Sequence, residues 1–132
     1  MPRRDELRDA LVFETYGFAP NACFDGATLA AAAEEGASTV ELQDLREDMS
    51  MTRWATVPQE REEFKQAFDF AGVDCIFQNA GEEGQTAMRL ARRLARFTFS
   101  TDVMRDFVGR AAFPDDITAA HAQGRHCLYF TG

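Results

Sequence analysis

Glu82 and Glu83 stand between Gly81 and Gly84, in a loop that follows the apolar run VDCIFQNA (73–80) and leads into a helical pattern. Carboxylates in that place could hold a substrate amine or act as a general base. They also suit the start of a helix, whose dipole favours negative charge. Asn79, at the end of the apolar run, could bind a substrate carbonyl or tie down its own loop, alongside Gln78. Glu14 and Tyr16 are the corresponding polar groups in LVFETY (11–16), with Phe18 just beyond. Tyr16 could donate a hydrogen bond into a site or plug the core with its ring. In a β/α protein, groups that follow strands into their loops are the ones that meet ligands, so Glu14, Tyr16, Asn79, Glu82 and Glu83 are the substrate-facing candidates.

Other reactive types have structural readings. His121 falls on a short helix pattern and His126 opens a strand pattern, so with Cys127 they do not converge as a metal site requires. Arg89, Arg93 and Arg96 form a row that reads as a solvated helix face partnering the acid-rich first half of the chain. Cys23, Cys75 and Cys127 are odd in number and contain no CxxC, which predicts reduced thiols, the latter two being small core residues. No Gly-rich phosphate loop or Ser-His-Asp set is present. No catalytic residue and no metal ligand is assigned.

The elements that must position these groups follow from pattern and punctuation. LVFETY predicts a short strand entering the loop GFAPNACFDG. Asp25 caps a small-residue helix over 27–35 that Gly36 stops, and could let it pack closely against a neighbour. Ser38 and Glu41 stand at capping-box spacing before Leu42, Leu45 and Met49, predicting a second short, acidic surface helix. Pro58 opens a third helix with Phe64, Ala67, Phe68 and Ala71 as its apolar stripe, ended by Gly72. VDCIFQNA reads as a strand buried on both faces. Leu90, Leu94 and Phe97 mark the next helix, read as continuing or restarting through Met104 and Phe107 to Arg110. Pro114, Asp115 and Asp116 start another, Gly124 stops it, and RHCLYFT is a third strand.

Strand, helices, strand, helices, strand is βαβ grammar, which makes the three strands parallel in one sheet. The third runs into the terminus with nothing after it to pair its edge. The chain has 132 residues, 45% of them apolar, and a formal net charge of -8, which fits one segment with a real core and disfavours nucleic-acid or anionic-membrane partners. Its start, MPRRDELRDALV, has no apolar h-region, so a cytoplasmic location is expected.

Three blocks, VFETYGFAP (12–20), DCIFQNAGEEG (74–84) and FPDDITAAHAQGRHCLYFTG (113–132), resemble the membrane dipeptidase (renal dipeptidase) family of metallopeptidases, especially its divergent bacterial branch. The resemblance implies α/β architecture of the (β/α)8 TIM-barrel type, with a binuclear zinc site that hydrolyses dipeptides. A complete barrel takes about 250 residues. Residues 1–132 are therefore expected to form an N-terminal segment, the first three parallel strands with their helices. The family's His-x-Asp metal pair after the first strand corresponds to Tyr16 and Phe18, and the position nearest to its bridging carboxylate is Gly132. Its remaining histidine ligands lie on later strands. Zinc belongs to the family but is not expected to bind this chain tightly, nor is the chain expected to hydrolyse peptides alone. A dipeptide or other small amide would be the substrate of a full-length parent. Half a barrel would expose strand edges and apolar faces and favour self-association. The alternative is a small non-catalytic α/β module that binds a ligand or a protein.

Overall fold

The structure, a computed structural model, describes residues 10–132. Residues 1–9, the larger part of the MPRRDELRDALV stretch, lie outside them. In chain order the elements are β1 (Phe13–Gly17), α1 (Gly26–Glu34), α2 (Thr39–Thr56), α3 (Pro58–Ala71), β2 (Cys75–Asn79), α4 (Ala87–Val103), β3 (Val108–Ala111), α5 (Pro114–Ala122) and β4 (His126–Thr131). The four strands make one parallel sheet in the order β1-β2-β4-β3.

Local chemistry explains most boundaries. The Asp25 carboxylate accepts from Ala27 N at 3.0 Å to begin α1. Ser38 and Glu41 close a reciprocal capping box on α2, Ser38 N donating to Glu41 Oε2 at 2.8 Å. Val57 is extended ahead of Pro58, as a residue before proline must be, so α2 ends and α3 begins in one step. Gly72 ends α3 at φ 64°, a left-handed conformation that costs glycine little.

Two steps along the sheet run one way, β1 to β2 and β2 to β3, and the last runs back from β3 to β4. Right-handed crossovers then put α5 on the opposite face from the other helices. Packing agrees. Trp54, Phe64, Phe68 and Met104 enclose Ile76, Val108 and Leu128 on one face, whereas Ile117 and Ala120 of α5 cover Cys75, Ala111 and Cys127 on the other. Trp54 stacks flat on Phe64 with ring centroids 4.2 Å apart. The second face is covered only in part: beyond α5, Phe13 is 43% exposed and meets Phe77, which meets Tyr129 in turn.

Three expectations need correction. The segment read as helix through Phe107 to Arg110 contains β3, because Val108 is buried in the core and pairs with His126. Four strands therefore replace three, and the edge of β4 expected to be bare is paired by β3. Helix α2 is neither short nor a surface helix: it runs 18 residues to Thr56 and buries Met49, Met51, Trp54 and Ala55. By contrast, α1 packs against α2 without burying any of its own residues. No helix among the described residues is long and apolar enough to cross a membrane.

Candidate functional site at the carboxyl ends of β1 and β2

Beyond the carboxyl ends of β1 and β2 lies an open cleft of about 780 Å³, between the β1 exit loop, α1, α2 and the loop from β2 to α4. Open parallel sheets bind ligands in this position, outside the strand ends. Asn21, Phe24, Gln43, Arg46, Glu82 and Arg89 are among its walls. Hydrogen bonds hold the β1 exit loop in place: Ala22 N donates to Ser50 O at 3.0 Å, and Ala19 N donates to the side-chain Oε1 of the buried Gln78 at 2.6 Å. Gln78 therefore anchors the β1 exit to β2 and is not free for a ligand. The Arg46 guanidinium lies over the Phe24 ring, 4.7 Å from its centroid.

The sequence candidates separate on inspection. Glu82 lines the cleft; the other four do not. Glu14 Oε1 accepts from Tyr16 N at 3.1 Å, turned back on its own strand. Tyr16 is 84% exposed, so it neither plugs the core nor faces the cleft. Asn79 Oδ1 accepts from Gly81 N at 2.9 Å, tying down its own loop. Glu83 is exposed beside Glu82.

The arginine row is the larger surprise. Its partners are acids of the first half, as expected, but the face is an interhelical seam and not a solvated surface. Arg89 is ion-paired and hydrogen-bonded to Glu47, which holds its guanidinium still more firmly charged than usual, and its Nη1 is 2.7 Å from Glu82 Oε2. Arg96 reaches Asp48 and Asp44, both at 3.0 Å. Arg93 is buried, its side chain only 6% exposed, although charged side chains are rarely buried without full pairing. Its Nη1 stands 3.3 Å from Glu82 Oε1, an ion pair without the alignment of a hydrogen bond, and its Nε has no hydrogen-bond partner. The sequence signal for this was present: Arg93 precedes Phe97 by four positions and Ser100 by seven, and all three are buried on one side of α4.

The opposite end of the sheet is polar but closed. His121 Nδ1 lies 2.8 Å from Asp74 Oδ1, while Asp74 Oδ2 accepts from Val12 N at 2.8 Å. His126 Nδ1 bonds Val73 O at 2.7 Å, its ring packed between Phe68 and Phe107. Cys75 and Cys127 face each other in register and are buried; their mutual hydrogen bond and burial push the Cys127 thiol well above its usual range. Cys23 is exposed.

The positions that the resemblance puts forward for zinc ligands carry residues that do not fit the ion. Tyr16 and Phe18 are aromatic and point to solvent, 84% and 56% exposed, and Gly132 has no side chain. Among the described residues no group of three or more His, Cys, Asp or Glu side chains converges. Compared with protein-family models, curated proteins and solved structures, the chain matches none.

Proposed function

We propose that the chain is the N-terminal segment of a small-amide hydrolase of the membrane-dipeptidase type, contributing substrate-facing groups from the ends of β1 and β2, while any metal ligands come from elsewhere. One observation carries this reading. The three blocks of resemblance fall on β1, on β2 with its exit, and on α5 with β4; these strands lie side by side, parallel and in sequence order, as the first three strands of a barrel would. The half-covered second face, where Phe13, Phe77 and Tyr129 meet, suits a surface completed by further strands. In the isolated chain that face promotes self-association, which light scattering at high concentration checks; a clean monomer would count against it.

A second reading has its own support. β3 occupies the outer edge of β4, where a fourth barrel strand would lie, and α5 packs on the face opposite the other helices. That is the layout of an open doubly wound sheet, which would make the chain a binding module using the same cleft. Zinc titration with a dipeptide assay, on the 132-residue chain and on the longest product of its gene, separates the two. The hydrolase reading predicts no turnover by the chain alone and zinc-dependent turnover by a longer product. Absence of turnover in both favours the module.

A further inference from the structure

Arg93 presents an unusual balance: a guanidinium more than nine-tenths buried, with Nε and Nη1 lacking hydrogen-bond partners, faced by one half-exposed carboxylate. That carboxylate, Glu82, is 49% exposed and sits on a loop framed by Gly81 and Gly84, the latter at φ 73°. It also bridges to Arg89 on the wall of the cleft. A buried guanidinium is costly without an anion, and the arrangement it favours is two parallel N–H···O bonds to one carboxylate. Glu82 supplies the charge without that geometry. A carboxylate entering the cleft could supply both, with Glu82 moving outward on its glycine-framed loop to water.

We infer that the cleft is a binding site for a small organic carboxylate that takes the place Glu82 now fills, held by Arg89 on the cleft wall and by Arg93, which is not itself a wall and is reached only when Glu82 is displaced. The inference rests on the reading that this cleft is the substrate-facing end of the sheet, but it needs neither a metal nor turnover. Glu82 thus acts as a built-in competitor, setting a threshold against weak anions.

The test is a calorimetric or NMR titration of the 132-residue chain with N-acetylalanine, using N-acetylalaninamide as the uncharged control. Glu82→Ala is expected to tighten carboxylate binding by about tenfold or more, with the amide binding in neither form. Glu83→Ala removes the same charge from an exposed neighbour, and is expected to change affinity by less than about twofold. Arg93→Met should abolish binding; if that variant does not fold, the comparison of Glu82→Ala with Glu83→Ala still decides. Equal effects of the two alanine variants, or equal binding of acid and amide, would overturn the proposal. Failure of the hydrolase assay with success here would discard the reaction and retain the site.

Discussion

The two ends of the parallel sheet handle charge in opposite ways. At the amino end, Asp74 divides its oxygens between His121 and the Val12 amide, and His126 is held by Val73 O between two phenylalanines, so its groups serve the framework. At the carboxyl end, Arg93 is buried with donors unused and its counter-ion is half exposed on a short loop. A fold can leave an interaction unsatisfied only where something else over-determines the structure, and here the seam between α2 and α4 does so through Arg89, Arg92 and Arg96. The difference teaches that the quality of pairing, more than charge itself, is what distinguishes the proposed site from the framework.

Removing the aromatic support of the amino end should have the largest effect. Phe68 is buried and its ring centroid is 5.0 Å from that of His126, so Phe68→Ala should destabilise the chain by about 3–5 kcal/mol, read from denaturant unfolding. Next comes Asp74→Ala, which strips partners from His121 and Val12 N and should cost about 1–3 kcal/mol in the same experiment. Glu82→Ala should cost about 1–3 kcal/mol as well, because it leaves the buried Arg93 guanidinium without a counter-ion, and saturating N-acetylalanine should restore most of that loss. If the ligand restored nothing, the two ends would be equally structural and the contrast would collapse.

The smallest effect expected belongs to Asp116, in the first turn of α5, which follows the edge strand β3. Its carboxylate accepts from Ala112 N at 2.8 Å and Phe113 N at 2.9 Å, and these bonds hold its pKa below the usual carboxylate value. A depressed folded-state pKa means the stabilisation is present at neutral pH and is lost as pH falls through that depressed value. Asp116→Asn should therefore lower the Tm slightly at neutral pH, and the difference should shrink toward acid. A constant difference across pH would show that the charge is irrelevant to the cap.

Punctuation made much of this fold legible. Asp25, the Ser38 and Glu41 pair, Pro58, Gly72 and Gly124 mark ends through bonds or dihedrals that depend on a few neighbouring residues, and those elements were found. Strand β3 was not, since VGRA holds one β-former and a glycine and owes its conformation to pairing with β4. The reach of α2 to Thr56 was missed for a related reason, because Trp54 and Ala55 are helical where tertiary burial rewards them. At the site, the Gly-framed loop marks Glu82, while Tyr16 misleads: a register shift between Glu14 and Gly17 disturbs the alternation that would assign its face. Arg93 escaped because a charged residue is read outward by default, and only the packing of α4 on α2 turns it inward.

The assignment of the carboxyl end as the ligand-binding end is tested most directly by mapping backbone amide shifts while the chain is titrated with N-acetylalanine. We expect the largest changes at Gly81 through Arg89 and at Arg93, with His121, Asp74 and Val12 unmoved. Changes centred on the amino end, or spread evenly over the sheet, would contradict it.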